Sequence, residues 1–358
     1  MNNLKKIPTT ILTGFLGAGK TTFIEKIIKQ TNANIALIIN EFGDLGVDAD
    51  ILKKCMNDNC NSENIIELSN GCICCTVSDE FIPTIEKIIN STTPPEHIII
   101  ETSGLALPKP LIAAFKWPDI RNRIMYNGTI AIVDAEACNN VYKIFKTSKA
   151  THKDKDNNIS NSSVEEVFND QILSSDLIVI NKIESVTELE IENIQNNLNE
   201  LTKQSIPIIK SNINYNLNQI ILGPKTLISN KNPEVISDLK KDSLLANDHD
   251  HDHDHDHDHD HDHDHHNFNT FSINIPNVFT KEIILSKLHK ALESKHILRV
   301  KGFIKTVDSD MLLTIQIVGK NIQTYYQDGK IKNRDSGYLI FIGHKNIDER
   351  SIKNLFLN

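Results

Sequence analysis

The stretch Gly14-Phe-Leu-Gly-Ala-Gly19-Lys20-Thr21 decides the fold of this 358-residue chain. It matches the phosphate-loop pattern G-x-x-x-x-G-K-[ST]. It lies between the apolar run Ile7 to Thr13, which predicts a buried strand, and a helical stretch from Lys20 to Gln30. In such a loop, backbone N–H groups surround the α- and β-phosphates, the lysine contacts the β/γ oxygens and the threonine hydroxyl binds Mg²⁺. The sequence therefore predicts a nucleoside triphosphate site formed by Gly14, Gly17, Ala18, Gly19, Lys20, Thr21 and Thr22.

Further short apolar runs follow the phosphate loop, separated by helical or mixed segments. Runs of this kind, apolar throughout, indicate strands of a parallel sheet that is covered on both faces. We therefore predict an α/β fold, a P-loop NTPase domain with a doubly wound parallel sheet, over residues 1–225. Its remaining strands are predicted at Ile35 to Asn40, Ile65 to Leu68, Ile98 to Ile100, Thr129 to Val133 and Leu177 to Ile180.

Two polar stretches interrupt the pattern. Lys149 to Ser163 is predicted to be a surface insertion, and residues 226–267 are predicted to be a linker with no core of its own. Residues 268–358 are predicted to form a smaller C-terminal α+β domain. Its elements are a strand through Phe271, Ile273 and Ile275, a helix from Thr280 to Glu293, strands at Ile297 to Thr306, Leu312 to Val318 and Tyr338 to Gly343, and a helix from Glu349.

The charge distribution argues against a nucleic-acid partner. The chain has 38 Lys and Arg residues against 47 Asp and Glu residues. Nine of the acids lie in the tract Asp248 to His266, and without them the two counts are equal. A neutral body with one acidic segment lacks the basic stripe of a nucleic-acid binder. No apolar run approaches the roughly 18 residues of a membrane span, and no signal sequence is evident, so we expect a cytoplasmic protein.

A second element is needed to hold the metal and sense the γ-phosphate. The run Ile98 to Ile100 ends in Glu101, and Gly104 follows closely. We predict that Glu101 takes an outer-shell Mg²⁺ or water-orienting role and that the Gly104 amide approaches the γ-phosphate. With Lys20, these are the predicted catalytic residues.

The base is predicted to be guanine. Asn181, Lys182 and Glu184 occupy the positions of the Asn-Lys-x-Asp pattern, directly after the run Leu177 to Ile180. The acid of this pattern accepts two hydrogen bonds from guanine that adenine cannot donate. Here the acid is Glu, one methylene longer than Asp.

Three thiols fall within four residues, at Cys72, Cys74 and Cys75. Thiolates suit Zn²⁺ and, less strongly, Co²⁺ or Ni²⁺, and three ligands with an open position indicate a site built for exchange. Buried structural cysteines and redox chemistry are the alternatives. The cluster lies between Glu41 and Glu101, so Glu41 is a candidate to couple nucleotide and metal. Elsewhere, Cys55 and Cys60 are predicted to be bystander thiols, and Cys138 is predicted to lie in the core.

The Asp-His tract from Asp248 to His266 alternates two metal-binding side chains without an apolar residue. It is predicted to be disordered and to offer many weak equivalent sites, as a buffer or collecting arm for Zn²⁺, Co²⁺ or Ni²⁺. A solvated linker of repeat origin is the alternative.

Several motifs together resemble those of the CobW family of metal-handling phosphate-loop GTPases, and of its cobalamin-biosynthesis branch in particular. The resemblance covers nearly the whole chain, and its one departure is Glu184. The motifs are Thr13-Gly-Phe-Leu-Gly-Ala-Gly-Lys-Thr-Thr22, Asn40-Glu-Phe-Gly-Asp-Leu-Gly46, Ser69-Asn-Gly-Cys-Ile-Cys-Cys-Thr76, Ile100-Glu-Thr-Ser-Gly-Leu-Ala-Leu-Pro-Lys-Pro110, Ala114-Phe-Lys-Trp-Pro118, Val133-Asp134-Ala135 and Leu298-Arg-Val-Lys-Gly-Phe303.

The resemblance implies a GTP-dependent metallochaperone that loads Co²⁺, or Zn²⁺ as in other members, on the three clustered cysteines. It implies delivery to cobaltochelatase, the enzyme that metallates the corrin ring. A passive metal store dominated by the Asp-His tract is a rival reading, and a GTPase that matures a nickel enzyme is a third.

Overall fold

The computed structural model describes residues 6–31, 33–40, 65–68, 81–138, 158–211, 217–222, 268–294, 296–327 and 337–357. The strands are β1 (Ile7–Thr13), β2 (Ile35–Asn40), β3 (Ile65–Leu68), β4 (His97–Glu101), β5 (Ile124–Asp134), β6 (Leu177–Asn181), β7 (Ile208–Lys210), β8 (Phe268–Ile275), β9 (Ile297–Thr306), β10 (Ser309–Val318), β11 (Asn321–Gln327) and β12 (Gly337–His344). The helices are α1 (Lys20–Lys29), α2 (Ile82–Ile89), α3 (Lys109–Ala114), α4 (Pro118–Arg121), α5 (Asn158–Leu173), α6 (Glu188–Leu201), α7 (Leu217–Ile221), α8 (Lys281–Leu292) and α9 (Glu349–Leu357), with a 3₁₀ turn at Ile183–Ser185.

The first sheet has seven strands in the order β3-β2-β4-β1-β5-β6-β7, and every neighbouring pair is parallel. This confirms the predicted doubly wound parallel sheet. The strand order changes direction at β1, which has β4 on one side and β5 on the other. In open parallel sheets, ligands bind beside the carboxyl ends of the strands at such a switch point. The phosphate loop follows β1 at this position.

Apolar side chains on both faces of this sheet are buried, as continuous runs of Ile and Leu require. On one face α1 and α7 pack over the sheet through Phe23, Ile24 and Ile220. On the other face α2 and α3 cover the β1–β4 region, and α5 and α6 cover β5 and β6. The result is three layers, with the sheet between two layers of helices.

The C-terminal part is an antiparallel sheet in the order β11-β10-β9-β12-β8, with α8 and α9 packed on one face. All the strands and helices predicted for this part are present. The additional strand is β11, which pairs with β10 from Val318↔Asn321 to Leu312↔Gln327. Its seven residues are all only half-buried.

One prediction for the first domain is partly wrong. The polar stretch Lys149 to Ser163 was expected to be an insertion outside the elements, yet α5 already begins at Asn158. Phe168 and Ile172 anchor this helix in the core. Once a helix is nucleated, each added residue gains a backbone hydrogen bond, so polar residues can extend it toward its N-terminus. The tract Asp248 to His266 lies outside the described residues.

Arg299 of β9 connects the two sheets. Its side chain is buried and donates hydrogen bonds to the carbonyls of Ile220 and Ile221, the latter at 2.8 Å, and to Asn127 Oδ1 at 3.3 Å. Burial lowers the pKa of Arg299 to about 9, so the guanidinium stays charged at neutral pH. A buried cation needs such acceptors, because an unpaired one is costly.

The hydrogen bonds continue from Arg299 into the first sheet. Asn127 Nδ2 donates to Thr10 Oγ1 at 2.9 Å, and Thr10 Oγ1 lies 2.9 Å from His97 Nε2. Burial, reinforced by the charges of Arg299 and Lys301, holds the pKa of His97 well below its usual range. His97 is therefore neutral, and the domain contact is a polar network with the buried Arg299 guanidinium at its centre. Separately, no helix within the described residues is long and apolar enough to cross a membrane.

Replacing Arg299 with Met tests the contribution of this network. Met fills a similar length but leaves two buried carbonyls and the Asn127 amide oxygen without their donor. We expect the free energy of unfolding in urea to fall by about 1–3 kcal/mol. The matched control is Arg350→Met, because Arg350 is exposed on α9. Equal unfolding midpoints for the two variants would show that the Arg299 contacts do not stabilise the fold.

Candidate nucleotide site

The phosphate loop passes from β1 into α1 through a left-handed residue. Gly19 is the N-cap of α1 with φ 85° and ψ 30°, a conformation that a side chain disfavours. A Cβ atom on Gly19 would also lie 2.5 Å from Asn181 Nδ2. Both its backbone conformation and the close approach of Asn181 therefore favour glycine at position 19. The approach of Asn181 also brings the end of β6 against the phosphate loop.

Lys20 lies back over the loop that precedes it. Its ammonium donates to the carbonyls of Gly14 at 2.9 Å and Phe15 at 3.4 Å, and the side chain is buried. These contacts hold the positive charge over the centre of the loop. The arrangement suits a group that must meet phosphate oxygens.

Glu101 is the last residue of β4, and Thr21 lies beside it in the first turn of α1. β1 and β4 pair with Leu12 opposite Glu101, and the Thr102 amide continues the ladder to Leu12 O at 2.9 Å. Thr21 Oγ1 in turn donates to Glu101 Oε1 at 3.2 Å. A hydroxyl and a carboxylate are oxygen ligands of the kind that Mg²⁺ prefers, so this pair fits a magnesium site.

Gly104 brings the loop after β4 against the phosphate loop. A Cβ atom on Gly104 would lie 2.6 Å from the backbone nitrogen of Leu16 and 2.8 Å from its Cα. Only glycine permits this approach. The structure thus brings Lys20, Thr21, Glu101 and Gly104, which were predicted from separate motifs, to one end of the sheet.

The predicted base-recognition residues lie on the other side of the phosphate loop. Asn181 Nδ2 donates to Ala18 O at 2.9 Å, which ties the end of β6 to the loop. Lys182 has a left-handed backbone with φ 56°, and its ammonium pairs with Asp134 Oδ2 at 2.7 Å. Glu184 lies in the 3₁₀ turn and is exposed, so its carboxylate is accessible to a ligand. Gly17 and Thr22 are exposed on the same loop and the first turn of α1.

Apart from Thr21, the structure does not describe the predicted metal ligands. Cys72, Cys74, Cys75 and Glu41 lie outside the described residues, as do Cys55 and Cys60. Within the ranges that are described, no three His, Cys, Asp or Glu side chains form a metal-binding group.

Cys138 is buried, which confirms its predicted place in the core. Burial, with a contribution from the charge of Asp134, raises the pKa of its thiol to about 12. This thiol is therefore neutral and poorly suited to bind a metal.

Two residues near the site were not singled out from the sequence as functional. Asp134 was noted only as part of a motif, yet it pairs with Lys182 and also accepts from the Ala137 amide at 3.0 Å. Gln171 of α5 contacts the loop after β4 across more than 60 residues of chain. A position at a strand end could have indicated Asp134, whereas no local pattern marks Gln171.

The phosphate loop at the switch point of a parallel sheet, with Glu101 and Asn181 on its two sides, defines a P-loop nucleotide-binding domain. Residues 8–209 match the family model described as the CobW/HypB/UreG nucleotide-binding domain. Residues 268–358 match the cobalamin synthesis protein CobW C-terminal domain. The chain therefore belongs to the CobW/HypB/UreG family, which confirms the predicted P-loop GTPase.

Two curated relatives match nearly the whole chain, and a third matches part of it. A protein from a Sinorhizobium species named zinc chaperone CobW is 38% identical over 98% of this chain and 96% of its own length. A protein of the same name from Pseudomonas aeruginosa is 34% identical over 99% of this chain and 92% of its own. The zinc-regulated GTPase metalloprotein activator 1 of Schizosaccharomyces pombe is 38% identical over 40% of this chain and 35% of its own length.

The exposed carboxylate of Glu184 gives a direct test of base selection. Glu184→Ala removes the acceptor for guanine, so we expect the preference for GTP over ATP to fall by about tenfold or more. Displacement of a fluorescent GDP analogue by each nucleotide measures this ratio. Glu184→Asp should keep the preference, and Glu192→Ala, at an exposed position of α6, should leave it unchanged. An unaltered ratio in Glu184→Ala would show that the acid at this position does not select guanine.

Proposed function

We propose that this protein is a GTP-dependent metallochaperone. It binds a divalent metal ion at Cys72, Cys74 and Cys75 when GTP is bound and releases the ion to a client protein after hydrolysis. The observation that carries the proposal is the position of β2 between β3 and β4. The cysteine segment follows β3, and the γ-phosphate loop follows β4, so β2 alone separates their starting points.

The register of the three strands supports this coupling. Ile39 of β2 pairs with Glu67 of β3 on one side and with Glu101 of β4 on the other. All three strands run in the same direction, so their carboxyl ends meet at one edge of the sheet. The four residues from Leu68 to Cys72 reach at most about 14 Å. β3 therefore ends at the same edge of the sheet as β4 and Glu101, and in the sequence the cysteine segment follows β3 and Glu41 follows β2.

The nucleotide chemistry is assigned to residues on the same edge. Lys20 contacts the phosphates, Thr21 and Glu101 would hold Mg²⁺, and Gly104 would present its amide to the γ-phosphate. Bound Mg²⁺ supplies positive charge that stabilises the phosphoryl oxygens during hydrolysis. Loss of the γ-phosphate then frees the segments on either side, as in other phosphate-loop switches.

We propose zinc as the first candidate cargo. Two relatives that match over the full chain carry the name zinc chaperone, and thiolates bind Zn²⁺ more tightly than Co²⁺. Cobalt delivery to cobaltochelatase was expected from the family resemblance and is the second candidate. Thiolate ligands require a reducing compartment, which supports the cytoplasm as the proposed place of action.

Metal competition in three nucleotide states tests the coupling. The full chain is titrated with Zn²⁺ against a chromophoric chelator, without nucleotide, with GDP and with a non-hydrolysable GTP analogue. We expect affinity with the GTP analogue to be higher by about tenfold or more, because the nucleotide orders the ligand segment. Affinities that agree in all three states would refute the coupling.

Two variants make this test specific to the cluster. The triple variant Cys72→Ser, Cys74→Ser and Cys75→Ser should lose the nucleotide-dependent site, whereas Cys55→Ser with Cys60→Ser should retain it. The same titration with Co²⁺, followed by transfer to apo-cobaltochelatase or to zinc-dependent apoenzymes, separates the two cargo proposals. Transfer to a nickel apoenzyme would instead favour the nickel reading.

Deletion of residues 248–266 discriminates the chaperone from a passive store. We expect the variant to keep one tight nucleotide-dependent site and to lose only weak, multiple binding, since imidazole and carboxylate groups of the tract offer equivalent weak sites. Isothermal titration with Zn²⁺ measures both classes. If nearly all binding disappears with the tract, the storage reading is correct.

A further inference from the structure

Gln171 is a buried polar side chain close to the nucleotide site. It lies on α5, two residues before the helix ends, and is 1% exposed. Its Nε2 donates to Gly104 O at 3.0 Å and to Ala106 O at 3.1 Å. One amide group therefore holds two carbonyls of the loop that follows β4.

The orientation of this amide is fixed by its partners. Both contacts are carbonyl oxygens, and only the amide nitrogen can donate to them. The opposite atom, Gln171 Oε1, is buried and has no hydrogen-bond partner among the described residues. A buried acceptor without a hydrogen bond lowers stability, and the two hydrogen bonds from Nε2 offset this cost. Both of those bonds go to the loop after β4, so the amide acts on the conformation of that loop.

The loop that Gln171 holds is a tight turn against the phosphate loop. The Ala106 amide donates to Ser103 O at 3.0 Å and closes the turn, while Gly104 lies against the backbone of Leu16. Because a trans peptide is planar, the hydrogen bond to Ser103 O also fixes the direction of the Gly104 N–H group, and Gln171 holds the carbonyl of the next peptide. The phosphate loop and Gln171 thus restrain the turn from Ser103 to Ala106 on two sides.

We propose that Gln171 is a positioning residue for GTP hydrolysis. It keeps the turn from Ser103 to Ala106 in the orientation in which the Gly104 backbone meets the γ-phosphate. Restraint of this kind lowers the barrier because the group that contacts the reacting phosphate is already in place. The inference rests on the proposed function, which assigns Glu101 and Gly104 to the γ-phosphate.

A second contact joins α5 to the start of α3, which follows this loop, and provides a comparison. Lys109 pairs with Asp170, the residue before Gln171, and the Lys109 side chain is 65% exposed. Exposed ion pairs contribute little. Lys109→Met therefore removes a surface tether between α3 and α5 without touching the buried contacts of Gln171.

The variant Gln171→Glu tests the role through pH. An ionised carboxylate would face two carbonyl oxygens and repel them, whereas a protonated carboxyl can donate to one. We expect kcat for GTP to fall about tenfold near pH 8, with KM changed less than about threefold. The deficit should shrink toward about pH 6, because burial raises the pKa of a carboxyl group and keeps part of it protonated. Affinity for GDP, which lacks the γ-phosphate, should stay within about twofold of the parent.

Controls separate this role from a general loss of structure. Gln195→Glu makes the same exchange on α6 at a half-buried position, and Lys109→Met removes the surface tether. Both should hydrolyse GTP like the parent at every pH. Rates are normalised to the fraction of protein that binds GDP, so an unfolded fraction does not count as lost catalysis. If Gln171→Glu does not fold, Gln171→Met replaces it, and its kcat should fall without a pH-dependent recovery.

The outcomes distinguish this inference from the function on which it rests. If the Gln171 variants match the parent while Glu101→Ala loses hydrolysis, the positioning role is refuted and the loop assignment stands. Full activity in Glu101→Ala as well would refute the loop assignment itself. A fall in GDP affinity equal to the fall in kcat would show that Gln171 only supports the fold of the site.

Discussion

The pairing of β1 with β4 is the constraint on which the nucleotide site depends. Parallel hydrogen bonds place Leu12 opposite Glu101, and the ladder continues to the Thr102 amide. β1 and β4, which are far apart in the sequence, thereby end at the same edge of the sheet. Thr21 and Glu101 are in hydrogen-bond contact there. A shift in this register would move the carboxylate away from the threonine hydroxyl, since a shift of one residue reverses the faces of a strand. The remaining site residues are arranged around this pair.

The elements built from continuous apolar runs were predictable from the sequence. β1, β2, β3 and β6 were predicted within a residue of their bounds. For the central strands the reason is that a strand buried on both faces is mostly apolar. β11 was not predicted, because its sequence Asn-Ile-Gln-Thr-Tyr-Tyr-Gln has one aliphatic residue and lies at the edge of its sheet. Tyr and Thr favour strands, and Gly319-Lys320 before it suits a hairpin turn, so a weak signal was present.

The candidate site likewise contains some residues that were predictable from the sequence and some contacts that were not. Lys20, Thr21, Glu101 and Asn181 were predictable because each stands at a strand end or in a motif with a fixed spacing. The contacts of Gln171 and the pair between Lys182 and Asp134 depend on how helices and strands pack, and spacing along the chain carries no such information. The metal role of Cys72, Cys74 and Cys75 stays a prediction. Its physical basis is the shared edge of β3, β2 and β4.

The buried contact of Arg299 has a consequence for the segment that contains the Asp-His tract. α7, which Arg299 holds, ends at Ile221, and β8 begins at Phe268. Leu222 packs in one core cluster with Ile342, whose strand β12 pairs with β8. Leu222 and Phe268, which flank residues 223–267 in the sequence, are therefore both held by one body. A segment tethered at two points stays near them, so the weak metal sites predicted for the Asp-His tract would have a high effective concentration next to their own molecule. A cation released from one of these predicted sites would therefore remain next to the protein that carried it.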